Sequence, residues 1–257
     1  MPRHSFVLRL LLILFALLPA CGVRAADERV TLVVSDELRP LLEKHLDFLD
    51  RRPEHGLDAG GRVALLRRAR KEIGEMLATE GYFSPAIEGE EGEGGGFRIV
   101  VTPGRRTTIA SVDLRFAGDL IRNEGERPAR LAALKGAWSL PVGQPFRQAD
   151  WDAAKQRLLD GLSVNEYAAA AIADSHAVID PETGSASLAV EVDSGPVFRF
   201  GPLEVSGLSD YDLSLIERYR PPTPGEPYNQ DRLLRFQTAL QNTAYFSSVV
   251  VDIDRNS

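Results

Sequence analysis

The sequence is poor in the residues from which reactive centres are most often assembled: it has one cysteine, four histidines, two methionines and two tryptophans in 257 residues. A single cysteine excludes an internal disulfide framework and a cysteine-rich zinc site. Basic residues are outnumbered, 30 Lys and Arg against 37 Asp and Glu, which gives a net charge of −7. So acidic a chain has no electrostatic footprint for nucleic acid. Long hydrophobic runs are scarce too. The longest, Leu10 to Leu18, is well short of the roughly 20 residues that span a bilayer as a helix.

That short run has a specific meaning at an N-terminus. Arg3 and Arg9 precede it, Pro19 ends it, and Val23-Arg24-Ala25 supplies small residues for a peptidase. This is the pattern of a secretory signal peptide, with cleavage expected after Ala25. Leu18-Pro19-Ala20-Cys21 has the outline of a lipoprotein box, but its proline fits that box poorly, so plain cleavage is expected and lipidation at Cys21 is the alternative. Cleavage removes the only cysteine together with Arg3, Arg9 and Arg24 and no acid, which takes the charge from −7 to −10. An oxidising compartment is then harmless to the mature chain.

Internal repeats organise what remains. Val101-Thr102-Pro103-Gly104, followed by Ile109, Val112 and Leu114, returns 91 residues later as Val192-Asp193-Ser194-Gly195, followed by Phe200, Leu203 and Val205. Each copy reads as a strand, a glycine turn and a second strand. A helical face also repeats: Leu66, Ala69, Ile73 and Leu77 match Trp151, Ala154, Leu158 and Leu162 at an offset of 85, which also relates Tyr82 to Tyr167. A third copy has Leu233, Phe236 and Leu240, then Tyr245-Phe246, and its lead-in Gly225-Glu226-Pro227-Tyr228 repeats Gly143-Gln144-Pro145-Phe146. Spacing of i, i+3, i+7 is one face of a helix, which must lie on something flat.

The reading predicts three α+β units of strand, helix, helix, strand, strand, each a three-stranded mixed sheet with two helices on one face. The units take residues 26–104, 105–195 and 196–257. In the first, Ser35-Asp36-Glu37 starts a helix carrying Leu38, Leu41, Leu42, Leu46 and Leu49. Its second helix runs from about Arg62 to Glu80 and ends at Gly81. Strands are expected over 84–90 and 97–102, then over 108–116, 169–179 and 187–192, and in the third unit over 198–205 and 247–253. That unit is expected to be incomplete, without its last strand.

Little here can do chemistry. The run Glu91-Gly92-Glu93-Gly94-Gly95-Gly96 lacks the lysine ending of a phosphate loop and is acidic, so it reads as a hairpin loop. His45 sits on the leucine stripe as a structural histidine, His55 has no second close ligand, and His176 alternates along a strand. No Gly-x-Ser-x-Gly elbow appears. Trp138 and Trp151 are expected in the core. No catalytic residue, cofactor site or metal site is predicted.

The motifs Glu80-Gly81-Tyr82-Phe83-Ser84-Pro85, Gly143-Gln144-Pro145-Phe146, Phe200-Gly201-Pro202-Leu203-Glu204-Val205-Ser206-Gly207 and Tyr245-Phe246, in this order behind a signal peptide, resemble polypeptide-transport-associated (POTRA) domains of the BamA/TamA superfamily. The resemblance covers 27–257. It implies a non-enzymatic periplasmic arm of an outer-membrane assembly factor. Its implied partners are a TamB-like inner-membrane protein, unfolded outer-membrane protein clients, and the outer membrane through a β-barrel for which 1–257 holds no alternating segments. It points to the hairpin's outer strand as the contact edge: Ser84, Ala86, Ile87 and Glu88 in the first unit, Ala171, Ile172, Ala173 and Ser175 in the second. Glu88, Glu90 and Asp174 would guard those edges. A free-standing periplasmic adaptor and an unrecognised periplasmic enzyme stay open as alternatives.

Overall fold

The computed structural model describes residues 30–49, 58–92, 96–122, 125 and 127–254. The signal-peptide reading and His55 fall outside them. Two three-stranded mixed sheets follow one another along the chain, each with its own core.

The first unit runs β1 (Val30–Val33), α1 (Arg39–His45), α2 (Ala59–Thr79), β2 (Ala86–Glu91) and β3 (Phe97–Thr102). Its sheet order is β1-β3-β2, with β1 parallel and β2 antiparallel to β3. Alternation along β3 buries Phe97, Ile99 and Val101 on the face that meets Leu42, Leu46, Ala69, Ile73 and Leu77 of the helices and their flank. On the other face Arg98 and Val100 are only partly buried and Thr102 is exposed, so β3 needs only one apolar side. The helix expected to start at Ser35 begins later, at Arg39. The Ser35 carbonyl instead accepts from the amides of Leu38 and Arg39 in a turn. His45 is exposed, its Nδ1 3.2 Å from the Leu41 carbonyl oxygen, because the buried stripe passes through Leu42 and Leu46. The glycine-rich run joins β2 to β3 as a hairpin, with Glu91 opposite Phe97.

The second unit has β4 (Thr108–Ala117), a short α3 (Asp119–Arg122), α4 (Arg127–Gly136), α5 (Gln148–Ser163), β5 (Ala171–Asp180) and β6 (Ser185–Asp193), with sheet order β4-β6-β5. Ala186, Leu188, Val190 and Val192 of β6 form the core face. A strict period of two would put Ile109 and Leu114 on opposite faces. A register shift between Ile109 and Ser111 restores both to the core side, opposite Ala186 and Val190. β5 shifts in the same way between Ile172 and Asp174. Trp151 is buried in this core and packs edge-on against Trp138, ring centroids 6.0 Å apart, while Trp138 Nε1 donates to the Leu140 carbonyl.

The hairpin turn between β5 and β6 is closed by Asp180, whose Oδ1 accepts from the amides of Glu182 and Thr183. The Thr183 side chain and then its amide hold the Asp180 carboxyl below the usual aspartate range, against a small opposing effect of desolvation. A depressed carboxylate stabilises the fold fully above its unfolded value of about 3.9 and loses that contribution as pH falls through the lower folded value. Carbon-detected NMR titration should therefore show Asp180 protonating after an ordinary aspartate, with the turn amides shifting in step. Titration at the ordinary value would count against the turn.

Residues 196–254 contain α6 (Leu213–Glu217) and α7 (Gln230–Gln241). The strands expected over 198–205 and 247–253 do not form ladders; among the described residues, one isolated bridge, Arg199 to Pro227, is all the β-pairing in this part outside its junction with the second unit. The topology of the first two units supplies the reason. There the first and second strands never pair with each other, since each pairs with the strand between them.

Candidate functional site: strand edges and unit junctions

Each sheet has two edges, and an edge strand offers backbone amides and carbonyls to an added strand. In the first sheet both edges are engaged by arginines. Arg39 at the start of α1 donates to the Leu32 and Val34 carbonyls of β1 and its extension, at 3.3 and 3.1 Å. On the other side Arg70 Nε of α2 donates to the Ile87 carbonyl of β2 at 2.9 Å, and Arg62 pairs with Glu91 at 3.0 Å. β2 is also strongly acidic, with exposed Glu88, Glu90 and Glu91.

In the second sheet the start of β4 is covered by the repeated lead-in motif. Ile109 donates to Gln144, and Gly143 and Phe146 donate back to Ile109 and Thr107, at 2.8–2.9 Å. β5 differs. It is ten residues long, exposes Val178, and among the described residues no side chain of α5 hydrogen-bonds to it. Lys155, at the position of Arg70 in the repeat, instead pairs with Asp152 at 3.0 Å and lies over the Trp151 ring. His176 and Asp174 pair along β5 at 3.1 Å.

The residues expected at the edges are placed as follows. Ala86, Ile87 and Glu88 lie on β2, with Ile87 turned into the core. Ser84 does not lie on the strand. Pro85 has no amide to give a ladder, and the Ser84 carbonyl packs where a side chain on Gly104 would come within 2.9 Å. Ala171, Ile172 and Ser175 lie on β5, and Ala173 is the extra residue at its bulge.

Sequence reasoning missed the junctions between units. Gly81, just past α2 with φ +93°, accepts from Thr107 through its carbonyl at 2.8 Å. Glu166 holds the same place after α5, with φ +53°, and accepts from Phe198 at 2.6 Å. Phe146 and Tyr228 in turn donate to the Thr107 and Phe198 carbonyls at 2.8 and 3.0 Å. The offsets of 85, 91 and 82 residues thus describe one joint built twice. The signal was present in the Gly-x-Pro-aromatic repeat, but the groups its aromatic meets, Thr107 and Phe198, lie 39 and 30 residues away along the chain.

An ion cluster fastens the first joint. Glu80 receives Arg147 through both oxygens, at 2.8 and 3.0 Å, while Arg106 Nε donates to the Glu80 carbonyl oxygen at 3.0 Å. The hydrogen bond from Arg147 to Glu80 raises the guanidinium above its usual range. The second joint has Arg130 paired with Glu166 at 2.6 Å and lying over Tyr167. Because Arg147 is 42% exposed, Glu80→Ala is expected to cost the units about 1 kcal/mol or less. It should nevertheless broaden the inter-unit angle distribution in X-ray scattering. An unchanged distribution at low salt would show that the cluster does not set the angle.

Among the described residues, no group of His, Cys, Asp and Glu could hold a metal ion, and no helix is long and apolar enough to cross a membrane. The fold class is α+β, with three-stranded mixed sheets and helices. Among solved structures the chain is similar to POTRA domains 3–5 of BamA from Haemophilus influenzae, with TM-score 0.48 and 18% identity over 94% of this chain and 95% of that one. It is also similar to the N-terminal domain of Omp85 from Thermosynechococcus elongatus, with TM-score 0.37 and 15% identity over 88% and 89%. POTRA domains 1–3 of Omp85 from Anabaena give 0.37 and 14% over 88% of each chain. No protein-family model and no curated protein matches the sequence.

Proposed function

We propose that this chain is a tandem of POTRA units, divided as 26–104, 105–195 and 196–257, that acts without catalysis as the periplasmic arm of an outer-membrane protein assembly factor of the TamA type. Export by the N-terminal signal would deliver it to the periplasm. A TamB-like inner-membrane protein would meet the first unit, and unfolded outer-membrane proteins, autotransporters among them, would be the clients. Support comes from the repeated strand-helix-helix-strand-strand order and from the joint built twice along the chain.

The observation that carries the reading is the contrast between the edges. Arg39 takes the Leu32 carbonyl of β1 and Arg70 the Ile87 carbonyl of β2, whereas among the described residues no side chain of α5 reaches the ten-residue β5. Client strands from membrane barrels run to about ten alternating residues, which matches β5 in length. Backbone pairing reads side chains loosely, so one edge can serve many clients.

Proline scanning tests this. Successive amides of an edge strand point alternately to β6 and outward. Of Ala177→Pro and Val178→Pro, one therefore removes a ladder amide and destabilises the sheet, and the other removes an outward amide. The outward variant should keep its stability and lose about tenfold or more in affinity for a ten-residue barrel-strand peptide, as 1.4 kcal/mol would give. Equal peptide binding by both variants and the parent would sink the β5 edge as the client site.

A further inference from the structure

We propose that β4 pairs edge to edge with β4 of a second copy of this chain, antiparallel and two-fold symmetric about Leu114. This goes beyond the client edge of β5 and does not rest on it, since β4 and β5 are opposite edges of the same sheet.

The edge is open over one short window. Its start is covered where Ile109 donates to Gln144 and accepts from Gly143. The register shift after Ile109 ends that cover, and Gly118, with φ +81°, turns the chain into α3. Between them lie 111–117. The Ala117 carbonyl accepts from the Ser194 amide, just past β6, at 3.2 Å, so Ala117 turns its backbone groups toward β6. Successive residues of a strand turn theirs to alternate edges. Those of Ser111, Asp113 and Arg115 therefore face β6, and those of Val112, Leu114 and Phe116 face outward. Among the described residues, no other segment hydrogen-bonds to these three outward residues.

The residue pattern of this window is its own complement, which is what an isologous contact needs. In an antiparallel pair centred on Leu114, that residue meets its own copy, Val112 lies opposite Phe116, and Asp113 lies opposite Arg115. The outward residues then form the pairs that exchange hydrogen bonds, and Asp113 and Arg115 fall in the pairs between them, where side chains come closest. Opposite charges placed so stabilise a sheet and like charges weaken it. Both charges lie on the open face, 56% and 67% exposed, and pair with each other along β4 at 2.8 Å. Moving the two-fold to Asp113 or to Arg115 would set like charges face to face, so one register is singled out. On the helix side, Val112, Leu114 and Phe116 are half-buried against the core of the second unit, and an added strand continues that apolar face. Two exposed hydrophobic residues, Ile121 in α3 and Val142 in the lead-in, stand at the two ends of the window. The two-fold brings the Ile121 end of one copy to the Val142 end of the other.

So short a window makes a small interface and a weak, reversible dimer. Sedimentation equilibrium of the exported chain up to about 1 mM should therefore show monomer and dimer in exchange. Asp113→Arg and Arg115→Asp should each weaken association about tenfold or more at unchanged melting temperature, and the two exchanges combined should restore it. Hydrogen exchange on the parent chain decides the matter without any substitution. The amides of Val112, Leu114 and Phe116 should slow as concentration rises, while those of Asp113 and Arg115, already turned to β6, should not change. A chain that stays monomeric, single exchanges that associate like the parent, a double exchange that fails to associate, or concentration-dependent protection that spares β4 would each overturn the proposal.

Discussion

Trp151→Ala is expected to cost the second unit about 3–5 kcal/mol, the range for deleting a large aromatic from a packed core. Trp151 is 4% exposed and lies in one cluster with the β6 face. Its ring also meets Trp138 edge-on and carries Lys155 Nζ 4.9 Å from the centroid, contacts that add to simple burial. A loss of this size is a large share of the 5–15 kcal/mol that holds a typical domain. Urea denaturation followed by circular dichroism should show the second unit unfolding first. Hydrogen exchange in β3, whose core is a separate cluster, should change little. A total loss under about 1 kcal/mol would mean that the two rings do not anchor this core.

Gly81→Ala should be the second most damaging single change, and its effect falls on the joint. A side-chain carbon at Gly81 would lie 2.2 Å from the Phe146 carbonyl oxygen, and the backbone there has φ +93°. Phe146 cannot easily withdraw, because its amide is bonded to Thr107, and Thr107 in turn to Gly81. The left-handed backbone alone costs about 1–2 kcal/mol for a residue with a Cβ. Displacing the Phe146 carbonyl, whose residue is tied down through its amide, brings the expected loss to about 3 kcal/mol. The measurement is denaturation of the full chain together with scattering, which should report a loosened angle between the first two units. Glu166 is the internal control, since the second joint holds a side chain at φ +53°. Glu166→Gly relieves backbone strain there but gives up the pair with Arg130, so its net effect should be small. A loss at Gly81→Ala no larger than the roughly 1–2 kcal/mol of the left-handed backbone would show that conformation, and not the Phe146 carbonyl, sets the cost.

The repeats were legible because they rest on periodicity. Ala69, Ile73 and Leu77, and then Trp151, Ala154, Leu158 and Leu162, are buried on the helix faces that their spacing assigned. Ile109 and Leu114 were legible as apolar but not as sharing a face, because a bulge changes the parity of a strand without leaving a mark in its composition. The edge residues were partly legible. Hairpin spacing located β2 and β5, but nothing local revealed that Arg70 reaches Ile87 while Lys155, at the equivalent position, turns to Asp152. Both are basic residues next to the buried stripe of a helix, and the choice of partner depends on where the strand edge lies in space.

By itself the sequence determined the brick: its element order, the apolar stripe of each second helix and the tandem arrangement, since hydrophobic spacing and turn chemistry are local properties of the chain. Only the tertiary structure decided which edges stay open, how Gly81 and Glu166 join one unit to the next, and why 198–205 and 247–253 form no ladder. Those outcomes depend on backbone groups from segments tens of residues apart meeting or failing to meet, and pairing of that kind leaves no periodic trace in the sequence of either partner.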